Sequence, residues 1–430
     1  MIKRPVFADL NACKNNAIEE ILDVEIDNNL IVAIGKNLPK QGHKTIIDAT
    51  NQWVCPGFID IHCHLRDLKQ SASEDIESGT MAAASGGYTT LVSMANTNPA
   101  IDNIEILKEY INLIKTKSKI EVLPLASLTK NLAGHELVEI NNLTKHGAIG
   151  FSDDGMPFTN RKLLFNALLL TKNLNTFILS HPEDKSLSEG AAINLGGKSF
   201  ELGLDGIPNC SESGAIASEI EIVRETESKI HFSHVSLASS INLIKSAKLT
   251  GLNITCDITP HHLVLNENDI TNYSTSFKMN PPLRSLIDNQ ALINGIIDGT
   301  IDAIGTDHAP HNSSLKNCSL DSAAFGITGL ETAMSLVYEK MYLSNLIDKL
   351  KLIALFTTNP AQILNIDRGQ LKPGQIANLT VFNPDYNWTP KDCKTHSKSA
   401  NTPFLNRKLR GKITTTIFNG KIVYNLDQVL

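Results

Sequence analysis

The chain has 430 residues, enough for roughly two to three domains or for one large barrel with an accessory domain. Its formal net charge of −6 gives no basic footprint for nucleic acid, and it contains no run of about 18 apolar residues that would predict a membrane span. The seven cysteines form no C-x-x-C pair, which argues against a disulfide framework, and no apolar signal segment follows Met1, so we predict a cytoplasmic protein.

Short apolar runs separated by turns occupy both ends of the chain. They lie at 18–26, 30–35, 44–47, 378–382 and 413–417. Asn419-Gly420, between two apolar stretches, is a strong signal for a hairpin turn. We therefore predict one composite β domain, a small sandwich built from residues 1–55 and 372–430. Two separate small sheets are the alternative.

The middle of the chain alternates between strand-like and helical patterns. The predicted strands are Phe58–Ile61, Tyr88–Met94, Ile120–Leu125, Ala148–Phe151, Phe177–Ser180, Ile230–Val235, Ile254–Ile258 and Ile301–Gly305. The predicted helices include 103–117, 161–172, 214–227, 237–248 and 283–299. Strands that alternate with helices form parallel β/α units, so we predict an α/β fold with a (β/α)8 TIM barrel over residues 56–371. A doubly wound open sheet is the alternative, but no G-x-G-x-x-G motif supports it.

The most informative stretch is 56–66, in which the first predicted strand ends in His62-x-His64. Residues i and i+2 of a strand point to the same side, so both imidazoles can reach one point. Neutral imidazole is the commonest metal ligand among side chains, and two such rings suit zinc or a similar divalent ion. Two hydrogen-bonded histidines without a metal are the alternative for this pair taken alone.

Histidine and aspartate also follow other predicted strands. They are Asp153 and Asp154 after the fourth strand, His181 after the fifth, His234 at the end of the sixth, and Asp307, His308 and His311 after the eighth. Active sites of such barrels lie at the carboxyl ends of the strands, so these side chains are expected to converge. Four histidines with one or two carboxylates exceed the needs of one tetrahedral zinc, which predicts two metals that share a bridging carboxylate. Spacing does not decide between Asp153 and Asp154.

Longer motifs run through nearly the whole chain. They are PGFIDIHCHLR at 56–66, EDIESGT at 74–80, NTNP at 96–99, FSDDG at 151–155, LGLDGIP at 202–208, TPHHL at 259–263, KMNPPLR at 278–284, GTDHAPH at 305–311 and FGITGLET at 325–332. Together they resemble the dihydroorotase family of the amidohydrolase superfamily, in its longer bacterial type. The resemblance implies a (β/α)8 barrel with a β domain made from both chain ends, in agreement with the patterns above.

The resemblance also implies a reaction and a set of metal ligands. The reaction is the reversible conversion of N-carbamoyl-L-aspartate to L-dihydroorotate plus water, a step of pyrimidine (UMP) biosynthesis. Two zinc ions per subunit would be held by His62 and His64 on one side, by His181 and His234 on the other, and by Asp154 and Asp307. Asp154 would bridge the two ions, a position that the motif match favours over Asp153. Asp307 would also be the catalytic general base.

Arg66 is the predicted anchor for the substrate. Its planar guanidinium matches the ring carboxylate that distinguishes dihydroorotate from dihydrouracil. By the resemblance, Asn96, Asn280 and His311 complete the substrate-binding pocket. An ion pair of Arg66 with Asp67 or Glu74 is the alternative.

Some loops depart from the common pattern of the family. Residues 67–69 replace the usual Glu-Pro-Gly, and 312–316 lacks the usual glutamates before its lysine. The stretch between His311 and Gly326 is rich in small polar residues and has no helical or strand period. Loops of this kind are often active-site lids, so we predict a mobile loop over the site.

Two alternative functions remain open. Dihydropyrimidinases (hydantoinases) and allantoinases are also cyclic-amide hydrolases of this superfamily, but they generally use a bridging lysine, and none lies next to Asp153 and Asp154. A catalytically silent assembly subunit would typically have lost metal ligands. The predicted partners are a small-molecule substrate and a second copy of the chain in a homodimer, and an association with aspartate carbamoyltransferase is left open.

Overall fold

The computed structural model describes residues 1–3, 6–7, 21–40, 42, 45–157, 160–174 and 176–427. In chain order the strands are β1 (Ile2–Lys3), β2 (Val6–Phe7), β3 (Asp23–Asp27), β4 (Leu30–Gly35), β5 (Ile47–Asp48), β6 (Trp53–Pro56), β7 (Phe58–Cys63), β8 (Tyr88–Ser93), β9 (Glu121–Pro124), β10 (Ile178–Ser180), β11 (Ile193–Asn194), β12 (Gly206–Ile207), β13 (Ile230–Phe232), β14 (Ile254–Ile258), β15 (Ala303–Ile304), β16 (Leu379–Trp388), β17 (Leu409–Phe418) and β18 (Lys421–Asn425). The α-helices are α1 (Ile76–Ser85), α2 (Ile104–Lys117), α3 (Ile140–Lys145), α4 (Arg161–Leu174), α5 (Lys185–Ser188), α6 (Gly197–Leu202), α7 (Asn209–Thr226), α8 (Ala238–Leu249), α9 (Pro260–Val264), α10 (Leu286–Asp298), α11 (Ser313–Lys316), α12 (Ala333–Val337), α13 (Lys349–Ala354) and α14 (Thr358–Leu364).

Parallel strands form the centre of the molecule. β7, β8 and β9 pair in one sheet, and β10, β13, β14 and β15 pair in another. Single parallel bridges continue the pairing between the two sheets, because Phe151 pairs with Ala126 on one side and with Ile178 on the other. A further parallel bridge joins Cys63, at the end of β7, to His308, beyond β15. Helices separate most of the consecutive parallel strands, so the predicted α/β class is confirmed.

The predicted helices are present, with shifts of one to three residues at most ends and a larger one at α7, which begins at Asn209 and not at 214. For example, α2 begins directly after Asn103, because the Asn103 side chain caps the helix by accepting a backbone N–H of its first turn. The stretch predicted at 148–151 is not a regular strand, but it does join the parallel segments, because the Ile149 N–H donates to the Pro124 carbonyl at 3.0 Å and Phe151 bridges to the strands on both sides. Gly150 lies inside this stretch, and glycine weakens a strand because it has no side chain to pack.

Two further sheets are built from the chain ends, with the strand orders β4-β3-β1-β5 and β18-β17-β16-β6-β2. In the second sheet Val54 of β6 is the antiparallel partner of Val381 of β16, so N-terminal and C-terminal segments share one sheet. The predicted hairpin at Asn419-Gly420 is confirmed, because it joins β17 to β18. The runs predicted at 18–26 and 44–47 begin outside the described residues, and their described parts overlap β3 and β5.

Apolar side chains fill the space between these elements. Phe58, at the start of β7, packs its ring 5.2 Å from that of Phe356 and 5.8 Å from that of Tyr88. A separate cluster combines residues from both chain ends, including Val54 and Val381. Within the described ranges, no helix is both long enough and apolar enough to cross a membrane.

Candidate metal centre

The predicted metal ligands all lie at the carboxyl ends of the parallel segments. Buried at these ends are His62, His64, Asp154, His181, His234 and Asp307. Asp257 holds the backbone at His234, because its Oδ1 accepts the His234 N–H at 2.8 Å. The other oxygen of Asp257, Oδ2, lies 2.8 Å from His231 Nε2. His234 and Asp307 have positive φ angles of 40° and 45°, which non-glycine residues adopt only where the surrounding contacts impose them.

His62 and His64 face two carboxylates. His62 Nε2 lies 3.5 Å from Asp154 Oδ1 and 3.4 Å from Asp307 Oδ1. His64 Nε2 lies 3.5 Å from Asp154 Oδ2 and 3.1 Å from Asp307 Oδ1. Asn96 orients the His64 ring, since its Oδ1 accepts from Nδ1–H at 2.9 Å while its Nδ2 donates to Asp154 Oδ2 at 3.2 Å. The lone pair on His64 Nε2 is therefore directed at the carboxylates.

His181 and His234 approach the same aspartate. His181 Nδ1 lies 3.3 Å from Asp154 Oδ1 and 2.9 Å from His234 Nε2, and His234 Nε2 lies 3.6 Å from that Asp154 oxygen. His62, His64 and Asp154 form one group of candidate ligands, and Asp154, His181 and His234 form another; within each group the ligand atoms lie within 4.8 Å of one another. The two groups share Asp154.

Asp153 points away from these groups. Its Oδ1 accepts the backbone N–H of Leu128 at 2.7 Å and that of Thr129 at 3.0 Å, and its Oδ2 accepts the Thr129 hydroxyl. The carboxylate is thus occupied by the loop that follows β9. Of the two adjacent aspartates that the sequence left undecided, the one among the histidines is Asp154.

The donor set fits divalent metal ions. Both ring nitrogens of buried His62 and Nδ1 of His234 have no hydrogen-bond partner among the described residues. Burial disfavours the charged form of His62, but Asp154 and Asp307 outweigh burial and raise its pKa to about 9. Burial is likewise outweighed at His181, where Asp154 and Glu183 raise the pKa to about 10. Imidazole nitrogens beside buried carboxylates are the ligands that zinc and similar ions take.

A cavity of about 390 Å³ opens onto these side chains. Its lining includes four candidate ligands, His64, Asp154, His181 and Asp307, and the four predicted substrate-binding residues, Arg66, Asn96, Asn280 and His311. His62 and His234 are only 1% exposed and are absent from the lining. A cleft with a few convergent polar groups is typical of a small-molecule site.

The Arg66 guanidinium lines this cavity without an ion-pair partner in the described part of the chain. Its Nη2 lies 3.5 Å from His311 Nε2. The alternative partners are engaged elsewhere, since Asp67 accepts backbone N–H groups of the following segment and Glu74 contacts His308 at 3.4 Å. The ion pair considered as an alternative for Arg66 is therefore absent. Burial, together with the Arg66 charge, lowers the pKa of His311 to about 3, so that imidazole is neutral.

The sequence analysis did not single out Glu183. Its Oε2 lies 3.0 Å from His181 Nε2 and accepts from Asn280 Nδ2 at 3.1 Å, while its Oε1 accepts from the Ser188 hydroxyl at 2.5 Å. Burial disfavours its charge, but the hydrogen bond from His181 outweighs burial and lowers the pKa of Glu183 to about 2. The sequence did contain one indication that Glu183 lies at the site, because it stands two residues after the predicted ligand His181, in the same loop.

The stretch between His311 and Gly326 contains the short helix α11, so the expectation of no helical segment is wrong there. Asn312 explains the helix, because its side chain caps it by accepting the backbone N–H of Leu315. Lys316, at the end of α11, donates to three backbone carbonyls. The mobility of this loop stays a prediction.

Known proteins are similar in sequence to this chain along almost its full length. A family model described as dihydro-orotase-like matches residues 51–240. A dihydroorotase from Caldicellulosiruptor saccharolyticus is 42% identical over 405 residues, which cover 94% of this chain and 94% of that protein. A dihydroorotase from Geobacter metallireducens is 40% identical over 415 residues, which cover 95% of this chain and 96% of that protein.

A solved structure shares the fold. The L-hydantoinase (dihydropyrimidinase) from Arthrobacter aurescens matches with a TM-score of 0.88 and 22% identity over 100% of this chain and 96% of that chain. At that identity the likeness concerns the fold alone. The dihydroorotases that are 40–42% identical over almost the full chain place it among the hydrolases of the amidohydrolase superfamily, and the buried histidine and aspartate groups are compatible with a metal site of that class. Within it, the chain belongs to the dihydroorotase family, and the resemblance of its motifs is confirmed.

Proposed function

We propose that the chain catalyses the dihydroorotase reaction, the reversible conversion of N-carbamoyl-L-aspartate to L-dihydroorotate plus water in pyrimidine biosynthesis, and that two zinc ions per subunit serve it. The observation that carries this proposal is the pair of ligand groups that share Asp154, beside a cavity lined by the Arg66 guanidinium. His62 and His64 would hold one ion, and His181 and His234 the other. When bound, the ions would lower the pKa of a water towards about 7 and polarise the amide carbonyl.

Asp307 is the proposed general base. Burial disfavours its charge, but the adjacent His62 and His64 outweigh burial and hold the pKa of Asp307 below its ordinary value. It is therefore ionised at neutral pH and can accept a proton. In the hydrolytic direction Asp307 takes the proton of the attacking water, the C–N bond of the ring breaks, and Asp307 returns that proton to the leaving nitrogen. The biosynthetic direction reverses these steps.

Arg66 is the proposed anchor for the substrate carboxylate. Its guanidinium has no competing carboxylate within ion-pair distance in the described ranges, and it lines the same cavity as Asp307. His311, held neutral beside it, donates its Nε2–H to the Phe325 carbonyl at 2.7 Å, so its Nδ1 can accept a hydrogen bond from the substrate without adding a second charge. Asn96 and Asn280 complete the proposed pocket. Each of these amides also contacts a candidate ligand histidine, at 2.9 Å for Asn96 and 3.4 Å for Asn280.

A turnover assay tests the reaction. Purified protein is offered L-dihydroorotate, dihydrouracil, hydantoin and allantoin in parallel. We expect rapid hydrolysis of L-dihydroorotate, because only this substrate in the set presents a ring carboxylate to Arg66. Turnover of hydantoin or dihydrouracil in preference to L-dihydroorotate would assign the chain to the alternative class, and no turnover of any of them would favour the silent relative.

Elemental analysis of the same sample tests the metals. We expect zinc at two equivalents per chain. One equivalent with full activity would contradict the two-ion arrangement alone, whereas active protein without any transition metal would contradict the metal centre as a whole.

The architecture that we propose around this site is a (β/α)8 barrel over residues 56–371 with a composite β domain from 1–55 and 372–430. Bridges at Phe151 and between Cys63 and His308 support a ring of parallel segments, because an open sheet has no pairing between its first and last strands. The sheet shared by β6 and β16 and the apolar cluster around Val54 and Val381 support the composite domain.

The assembly and location of the protein stay predictions. We propose a cytoplasmic homodimer from the resemblance to the family, with association with aspartate carbamoyltransferase as a separate question. Light scattering after gel filtration should give twice the chain mass of 46.9 kDa. A mass equal to one chain would contradict the homodimer.

A further inference from the structure

Glu183 is a buried carboxylate at the edge of the candidate metal centre to which no role has been assigned so far. Its side chain is 9% exposed and lines the cavity. One carboxylate oxygen, Oε2, lies 3.0 Å from His181 Nε2 and 3.1 Å from Asn280 Nδ2. This single oxygen therefore contacts both a candidate metal ligand and a candidate substrate-binding residue.

The contact decides which nitrogen of His181 carries the proton. In the neutral ring that a metal ion needs, an ionised carboxylate at Nε2 can only accept, so Nε2 carries the hydrogen and Nδ1 keeps its lone pair. That lone pair lies on the side of Asp154 Oδ1, at 3.3 Å, and His234 Nε2, at 2.9 Å. The opposite tautomer would place a hydrogen on Nδ1, where a metal ion would have to bind.

We infer that Glu183 is a positioning residue of the metal centre, which holds His181 in the metal-binding tautomer and ties that ring to Asn280. This inference rests on the metal centre in the proposed function. A carboxylate behind a ligating histidine fixes the ring and raises its basicity, and loss of such a partner typically costs roughly 10–100-fold in metal affinity or activity.

The other ligand group provides an internal comparison. At His64 the corresponding acceptor is the neutral amide oxygen of Asn96, at 2.9 Å from Nδ1. The hydrogen-bond acceptor at His64 is therefore uncharged, whereas the acceptor at His181 is a charged carboxylate. A Glu183→Gln substitution makes the two acceptors alike, because the glutamine oxygen can still accept from Nε2–H while the charge is lost.

The other oxygen of Glu183 supplies a matched control. Oε1 accepts from the Ser188 hydroxyl, which belongs to α5 in the segment that follows the site. Ser188→Ala removes this contact and leaves both Oε2 contacts in place. If Glu183 served only to hold the segment of α5, Ser188→Ala would reproduce its loss.

The experiment measures zinc affinity by chelator competition in the wild-type chain, Glu183→Met, Glu183→Gln and Ser188→Ala, with thermal melts to verify folding. We expect Glu183→Met to lose roughly 10–100-fold in affinity for one zinc equivalent, with Glu183→Gln recovering part of the loss and Ser188→Ala staying within about threefold of wild type. In zinc-saturated protein, Glu183→Met should also raise KM for L-dihydroorotate, because Asn280 loses its partner.

Three results would overturn the inference: a Glu183→Met affinity within about threefold of wild type, a Glu183→Gln loss as large as that of Glu183→Met, or an equal loss in Ser188→Ala. A wild-type chain that binds no zinc would instead overturn the metal centre of the proposed function. A wild-type chain that binds zinc but does not turn over L-dihydroorotate would leave the role of Glu183 intact and overturn only the reaction.

Discussion

Asp307 is the single residue on which the proposed chemistry depends most directly. Its Oδ1 lies 3.1 Å from His64 Nε2 and 3.4 Å from His62 Nε2, at the edge of the cavity. We predict that Asp307→Asn lowers kcat by at least roughly 10²–10⁴-fold, because an amide cannot accept the proton. The measurement is steady-state turnover of L-dihydroorotate with zinc content determined on the same sample. Activity within tenfold of wild type would remove Asp307 from this role.

Arg66 sets the expected preference for a substrate with a ring carboxylate. Removal of one partner of a buried charge pair costs about 3–5 kcal/mol. At about 1.4 kcal/mol per factor of ten, Arg66→Met should lower kcat/KM for L-dihydroorotate by roughly two to three and a half decades. Zinc content should not change, since Arg66 is not a candidate ligand.

Arg368→Met is a suitable control for that substitution. Arg368 is an arginine of the same chain that pairs with Glu121 at 2.9 Å, outside the candidate site, so its loss should leave kcat/KM unchanged. If Arg66→Met loses less than tenfold and keeps its zinc, the substrate carboxylate is held by another group.

The charge states of two histidines predict how metal affinity depends on pH. The pKa values of His62 and His181 are raised to about 9 and about 10, so without metal both imidazoles hold protons at pH 7. Zinc needs neutral imidazole, and its binding must release these protons. Affinity should therefore rise with pH up to about 10 and fall as pH falls, by as much as about tenfold per pH unit for each released proton.

Titration calorimetry of metal-free protein with zinc, between pH 6.5 and 8.5 and in buffers of different ionisation enthalpy, measures the number of released protons. A binding constant independent of pH would contradict the assigned charge states.

Among the elements, the loop with helix α11 is held to its surroundings by several hydrogen bonds, and Lys316 makes three of them. Lys316 is 6% exposed, and its Nζ donates to the carbonyls of Ala324 at 2.8 Å, Gly326 at 3.0 Å and Lys278 at 3.3 Å. Burial, together with the nearby charge of Lys278, lowers the pKa of Lys316 to about 8. The end of this loop, next to His311 in the cavity, is therefore held by a buried charge.

We predict that Lys316→Met loosens this loop. Hydrogen bonds of charged groups contribute about 1.5–3 kcal/mol each, so a loss of about 3 kcal/mol or more in unfolding free energy is expected. KM for L-dihydroorotate should rise roughly tenfold, since misplacement of a binding loop weakens substrate positioning. Lys351→Met is the control, because the partly exposed Lys351 side chain donates to a single carbonyl, that of Ile297. Unchanged melting and KM in Lys316→Met would show that the loop is held by other contacts.

At the scale of the whole molecule, the candidate ligands tie together segments that are far apart in the sequence. They come from residues 62–64, 154, 181, 234 and 307, each after a different parallel segment. A ligand that binds only the folded state stabilises it by about 2.7 kcal/mol at one hundred times its dissociation constant. Zinc should therefore raise the melting temperature of metal-free protein, and His181→Ala should respond less. Identical melting curves with and without zinc would contradict a metal centre that spans these segments.

Much of this organisation could be predicted from local patterns. His62 and His64 alternate along a strand, so their shared direction follows from the pleat. The hairpin at Asn419-Gly420 follows from turn chemistry, and the start of α2 follows from the capping side chain of Asn103. These features depend on interactions between residues that are only a few positions apart, so they can be predicted from the sequence.

Other features depend on groups that the sequence places far away. Asp153 and Asp154 are adjacent and chemically identical, and Asp153 turns away because the backbone N–H groups of Leu128 and Thr129, on another segment, bind its carboxylate. The contact of Glu183 with Asn280, almost a hundred residues later, likewise forms only in the folded chain, across the cavity. The sequence alone determined which side chains could carry the chemistry, since ligand type and strand position are local properties. The tertiary structure decided which of them converge, because that choice is made by hydrogen bonds between segments whose separation no local pattern encodes.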